Sequence, residues 1–95
     1  MSNPVIDEEG NQFWYSEVEG ETDLLHRTDG PAVELVNGDK EWWVSGMLHR
    51  IDGPAIETED EQEWWYKGTQ IEVSNLEDFK KYMKRFREIS MKAFW

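Results

Sequence analysis

The sequence contains no cysteine, so neither a disulfide framework nor a thiolate zinc site can support so short a chain. Basic residues are scarce: 10 Lys and Arg stand against 21 Asp and Glu, a formal net charge of −11. That balance argues against a nucleic-acid or anionic-membrane binder, because phosphates are repelled before any contact forms. Long apolar runs are missing as well. The longest are three residues, as in Phe13-Trp14-Tyr15 and Ala93-Phe94-Trp95, so nothing spans a bilayer. The glycines, at 10, 20, 30, 38, 46, 53 and 68, are never closer than seven residues apart, which rules out a glycine-rich phosphate loop or a dinucleotide fingerprint. Met1-Ser2-Asn3-Pro4 lacks the positive and apolar stretches of a secretory signal, making the cytoplasm the expected compartment.

What is present is aromatic and acidic. Ninety-five residues allow one domain, 1–95. High charge with low hydropathy would favour disorder, but six tryptophans can each bury a large area and hold a small core together. The charge is split along the chain. Met1 to Asp78 carries 20 acidic residues and four basic ones, Arg27, Lys40, Arg50 and Lys67, whereas Phe79 to Trp95 carries six basic residues and only Glu88. A basic terminal helix lying on an acidic sheet and partly neutralising it is the expected arrangement, since such fields act over a Debye length of roughly 8–10 Å.

An internal repeat organises residues 10–72. Leu25-His26-Arg27-Thr28-Asp29-Gly30-Pro31-Ala32-Val33-Glu34 recurs 23 residues later as Leu48-His49-Arg50-Ile51-Asp52-Gly53-Pro54-Ala55-Ile56-Glu57. Glu41-Trp42-Trp43-Val44-Ser45-Gly46 recurs at an offset of 22 as Glu63-Trp64-Trp65-Tyr66-Lys67-Gly68, and Phe13-Trp14-Tyr15 is a first, degenerate copy. Trp14 precedes His26 by 12 residues where Trp42 precedes His49 by 7, so five residues are inserted around Ser16 to Asp23.

The repeat predicts β-structure. Its runs are β-branched and aromatic, and Asn37-Gly38, Ser45-Gly46 and Lys67-Gly68 are turn signals. Asn37-Gly38 in particular suits a two-residue turn. Asp-Gly-Pro starts each new strand. About six short antiparallel strands in a meander are expected. From residue 75 the period changes to helical: Leu76, Phe79, Tyr82, Met83, Phe86, Ile89 and Ala93 form one stripe. Ser74 with Glu77 fits a capping box, and Asn75 is an alternative cap. The fold class is therefore α+β, a β-hairpin repeat meander followed by one amphipathic helix over 75–93.

The motif Trp-Trp-x-x-Gly-x-Leu-His-Arg-x-Asp-Gly-Pro-Ala, carried by Trp42 to Ala55, resembles a repeat of small bacterial and phage-encoded proteins that is loosely related to MORN-type β-hairpin repeats. The resemblance implies a hairpin sheet serving as a scaffold or binding surface, and no catalytic activity. The third copy reads Thr69-Gln70-Ile71-Glu72 where His-Arg-x-Asp-Gly-Pro-Ala would follow, which marks the end of the array.

Chemistry-bearing groups are few. His26 and His49 are the only imidazoles, and their equivalent repeat positions give them the same structural part near a turn. Arg27 and Arg50, two residues before Asp29 and Asp52, are expected in local ion pairs or stacked on tryptophan. No nucleophile motif, metal-ligand set or cofactor site is expected, and no twelve-residue calcium loop is present. The chain is expected not to be an enzyme.

The carboxylates carry the functional expectation. Glu17, Glu19, Glu21 and Asp23 alternate through the insertion, and Glu57, Glu59, Glu61 and Glu63, with Asp60, alternate around the third hairpin. On extended strands such residues would share a face at roughly 6.6 Å spacing, a row comparable to phosphates along one nucleic-acid strand. Trp42-Trp43 and Trp64-Trp65 place one indole on each side of the sheet. One helix can cover one side only, leaving Trp43 and Trp65 as candidate partner anchors. The expected function is a non-enzymatic acidic module, a phage-encoded inhibitor occupying a basic, nucleic-acid-binding surface of a host defence or regulatory protein. Neither nucleic acid nor membrane would be bound directly. The alternative is a structural or antitoxin-like homodimer whose acidity serves solubility. A third possibility gives the basic helix the binding role.

Overall fold

The computed structural model describes residues 3–94, and side chains as far as Arg85. Its elements are β1 (Val5–Ile6), β2 (Gln12–Phe13), β3 (Val33–Glu34), β4 (Lys40–Glu41), β5 (Trp43–Val44), β6 (Met47–Leu48), β7 (Ile56–Glu57), β8 (Gln62–Tyr66), β9 (Thr69–Ile71) and α1 (Leu76–Phe94). The strands form a seven-stranded sheet in the order β1-β2-β3-β4-β7-β8-β9, with β5 and β6 as a separate pair. Every described pairing is antiparallel. The α+β class stands. Nine short strands form rather than about six, in part because the chain breaks its ladder at Trp42, splitting one expected strand into β4 and β5.

That break is repeated. Trp14 N–H donates to Ala32 O and Trp42 N–H to Ala55 O, while His26 N–H donates to Trp14 O and His49 N–H to Trp42 O. The first two aromatic segments thus leave the main sheet, Tyr15 opposite Leu25 and Trp43 opposite Leu48, whereas the third, Trp65 opposite Gln70, continues the main sheet through β8 and β9. The hairpins are stitched side by side, since Arg27 N–H donates to Trp43 O and Arg50 N–H to Trp65 O, with Gly46 and Gly68 bonding Leu25 and Leu48 in the same way. Sequence repetition has become repetition of hydrogen bonds. The molecule measures 48 × 36 × 18 Å, its thin dimension matching a single sheet with one layer upon it.

Turn chemistry follows the residues. Ser45 (φ 48°) and Gly46 (φ 78°), and Lys67 (φ 47°) and Gly68 (φ 81°), make two-residue turns. A non-glycine residue is uncommon there. In both cases its N–H is captured by the preceding repeat: Ser45 N–H donates to His26 Nδ1 and Lys67 N–H to His49 Nδ1, each at 3.0 Å. Asn37-Gly38 departs from the expected two-residue turn. Gly38 N–H bonds Leu35 O and Leu35 N–H bonds Asp39 O, a longer loop with Gly38 at φ 97°.

The helix starts on Asn75, whose Oδ1 accepts the Asp78 N–H at 2.8 Å; of the two caps weighed from sequence, Asn75 holds the position. Glu77 and Asp78 lie in the first turn, as the helix dipole favours. Phe79 and Met83, one turn apart, are buried against Trp64 and Ile71, with Tyr66 and Val73 packed around them. Phe86, Ile89 and Ala93 lie outside the described side chains. The helix does lie on the sheet, but through apolar contact. Among the described residues Lys80, Lys81, Lys84 and Arg85 enter no ion pair.

Candidate functional site

The His-Arg-x-Asp-Gly-Pro segments, the most chemical-looking part of the sequence, are joints. The Arg27 guanidinium lies 3.9 Å from the centre of the Trp14 ring and that of Arg50 3.7 Å from Trp42. Arg27 Nε donates to Asp29 and Nη1 to Pro31 O; Arg50 does the same to Asp52 and Pro54 O. Glycine leaves the room beneath. A Cβ on Gly53 would stand 2.6 Å from the Arg50 Cζ, and one on Gly30 3.0 Å from that of Arg27. Each guanidinium is sandwiched between an indole and a glycine, closing the loop that returns the chain to the main sheet. The two histidines are equally committed, each Nδ1 accepting a turn N–H. Burial, and secondly the Lys67 charge, push His49 below the ordinary histidine value.

The arginines also reach the next strand. Arg27 Nη1 lies 3.4 Å from Glu34 and Arg50 Nη1 3.6 Å from Glu57, while Lys40 is paired across the ladder with Glu34 on one side and Glu57 on the other. Arg27, Glu34, Lys40, Glu57 and Arg50 thus alternate in sign across one face. Glu57 is occupied internally. So is Glu63, which accepts the Trp65 indole N–H at 3.1 Å, as Glu41 accepts that of Trp43 at 2.8 Å.

The two carboxylate rows expected from alternation do not form. Glu17, Glu19, Glu21 and Asp23 lie on two successive turns, with Glu21 N–H bonding Val18 O and Leu24 N–H bonding Glu21 O. Buried Ser16 anchors them, its Oγ accepting the Val18 N–H. The five inserted residues made this excursion into a knot of turns, where side chains two apart no longer share a face. Around the third hairpin, Glu57 and Glu63 sit on facing strands, and Glu59, Asp60 and Glu61 form the turn between them, closed by Thr58 N–H to Glu61 O.

A different row does form. In the order β1-β2-β3-β4-β7-β8, the turns after β1, β3 and β7 lie along the same edge, successive tips being two strands, or about 10 Å, apart. They carry Asp7, Glu8 and Glu9; Asp39; and Glu59, Asp60 and Glu61. Asn11 ties the first tip to the second by accepting the Val36 N–H at 2.8 Å, and one surface hollow runs from Asn37 and Asp39 to Glu59. Asp7 is itself a turn-former: the Asn11 side chain and several backbone N–H groups hold its carboxyl below the usual value. Lys40 is the only cation beside these tips in the sequence. Glu17 to Asp23 lie at the opposite ends of the strands. Asp7, Glu8, Glu9 and Asp39 were not legible as part of a site, because tips brought together by topology are far apart in sequence.

Trp43 and Trp65 are half-buried on the face away from α1, in neighbouring hairpins and in line with Tyr15. Trp14, Trp42 and Trp64 occupy the other face, the alternation expected of adjacent strand residues. Among the described residues no cluster of three or more metal-ligating side chains occurs, and no helix is long and apolar enough to cross a membrane. No protein-family model matches this chain, and no curated protein or solved structure matches it either.

Proposed function

We propose that this chain is a non-enzymatic, acidic protein-binding module, built on MORN-like repeats, whose hairpin-tip edge occupies a basic surface of a cytoplasmic partner. A nucleic-acid-binding host protein that the module inhibits is the natural target: its cationic cleft would meet carboxylates spaced along an edge in place of phosphates. The observation that carries this reading is the line of three adjacent tips bearing Asp7, Glu8, Glu9, Asp39, Glu59, Asp60 and Glu61. Complementary fields speed encounter, while half-buried Trp43 and Trp65 offer aromatic anchors on the adjoining face. Glu17, Glu19, Glu21 and Asp23 form a second acidic patch at the far ends of the strands. The test is affinity capture at low and high salt with wild type, with E59K/D60K/E61K, and with E17K/E19K/E21K. Salt-sensitive capture lost in the first variant and retained in the second is expected; capture indifferent to both salt and reversal overturns it.

A homodimer is the second reading, favoured by β1, an edge strand whose Val5 and Ile6 are 57% and 61% exposed. Such edges pair readily with another chain. Light scattering on the purified chain separates the two.

A further inference from the structure

Asn37-Gly38 lies in the loop between β3 and β4, the middle tip of the acidic edge. That tip is the poorest in charge. It carries Asp39 alone, against Asp7, Glu8 and Glu9 on one side and Glu59, Asp60 and Glu61 on the other. Of the four asparagines in the chain, only Asn37 precedes a glycine; the others stand in Asn3-Pro4, Asn11-Gln12 and Asn75-Leu76. The difference is chemical. A backbone nitrogen can attack the amide carbon of the side chain before it only where it carries an N–H and is not shielded by a side chain of its own. Proline lacks the N–H, and Gln12 and Leu76 each bring a Cβ.

The loop presents both reacting groups. Asn37 and Gly38 are exposed, and nothing stands within 4 Å of the place a Gly38 Cβ would occupy. Asn37 Oδ1 accepts the Asp39 N–H at 3.0 Å, which curls the side chain back over its own peptide. The same N–H is aimed at the oxygen that takes up negative charge when Cγ is attacked. Asn37 Nδ2, the leaving nitrogen, points to Asp39 Oδ2 at 3.3 Å. One contact opposes the reaction, the bond from Gly38 N–H to Leu35 O at 2.9 Å. A single bond of that kind holds the nitrogen back by roughly tenfold at most. The two Asp-Gly pairs are guarded differently, because Arg27 and Arg50 hold the Asp29 and Asp52 carboxylates at 2.9 Å and a charged carboxylate repels attack.

We propose that Asn37 is a site of spontaneous deamidation, through a cyclic imide formed with Gly38. The Gly38 nitrogen gives its proton to solvent base and bonds to Asn37 Cγ; the Cγ–Nδ2 bond breaks and the nitrogen leaves as ammonia, protonated by water. Water then opens the imide at either carbonyl, leaving aspartate or isoaspartate at position 37, and no electrons are exchanged. The middle tip thereby goes from one carboxylate to two, the new one facing Asp39 where an amide N–H stood. The modification does not depend on the edge being a binding site; its effect on a partner rests on that reading.

Peptide mapping by mass spectrometry tests it, on the full chain kept in mildly alkaline buffer, folded and in urea, with Asn37→Ser alongside. Aspartate and isoaspartate together at position 37 are expected, with Asn11 and Asn75 still amides, at a folded rate within ~10-fold of that in urea. A more acidic species should grow on ion exchange in the wild type and not in Asn37→Ser. A folded chain that keeps Asn37 intact, or converts it more slowly than that, overturns the proposal, since the loop would then protect the pair. Aspartate without isoaspartate overturns it too, by excluding the imide. Neither result bears on capture by the acidic edge, so the two readings fail separately.

Discussion

The Phe79 ring lies 5.2 Å from that of Trp64, filling on the third repeat the place that the Arg50 guanidinium fills over Trp42. Phe79 is fully buried. Its truncation, Phe79→Ala, is expected to cost about 3–4 kcal/mol, read as a lowered urea midpoint and a red-shifted tryptophan emission as Trp64 meets water. An unchanged midpoint would mean that α1 is not the cap of the array.

Arg50 should resist conservative replacement. Arg50→Lys loses the planar stack and the fork that reaches both Asp52 and Pro54 O, so it is expected to destabilise by about 1–2 kcal/mol, nearly as much as Arg50→Ala. Full rescue by lysine in chemical denaturation would reduce the joint to a simple point charge.

Gly53→Ala tests the other half of the sandwich. Its backbone has no positive φ, so alanine is acceptable to the chain, yet the new Cβ would meet Arg50 Cζ at 2.6 Å. A loss of about 1–2 kcal/mol is expected. Combined with Arg50→Ala the two effects should fall short of adding, because both remove one contact. Strict additivity in the double-mutant cycle would contradict the sandwich.

His49 predicts a pH dependence. Its value is lowered in the folded chain by burial and by Lys67, so the unfolded chain takes up its proton first as pH falls. The stability it contributes is complete above about pH 6.5 and is lost as pH falls through the lower folded value. The lost bond is definite, for protonated Nδ1 cannot accept the Lys67 N–H. His49→Gln, with an amide oxygen to accept instead, should show a shallower decline between pH 7 and 5 in denaturation midpoints. Parallel declines for both proteins would rule out this role.

The repeat and its hairpins were legible because Trp42-Trp43 and Trp64-Trp65, His26 and His49, recur in frame, and equal residues in equal settings fold alike. The stacking of Arg27 and Arg50 followed from the same economy, as did the helix, where Leu76, Phe79 and Met83 keep a helical period. What could not be read was how strands five to twenty residues apart come to lie together. Alternation of Glu17, Glu19, Glu21 and Asp23 looks like a strand, but five residues inserted into a hairpin end must turn back on themselves. Glu57 looks free until Arg50 reaches it from the loop before β7, and Glu63 until Trp65, two places along the same strand, turns its indole N–H onto it. Asp7, Glu8 and Glu9 meet Asp39 and Glu59 only through the order of the sheet.

The bond from each histidine to the following turn runs in one direction only: His26 reaches forward to Ser45, His49 forward to Lys67, and Ile71, in the corresponding place, has no ring nitrogen to offer a successor. The array therefore has a growing end and a stopped end. Duplicating one 22-residue unit between His49 and Ile71 would place a new acceptor beneath a new turn, giving a longer ribbon, by about 10 Å, with a fourth tip. The length of the acidic edge in such a protein is a matter of copy number, adjustable without redesigning any single joint.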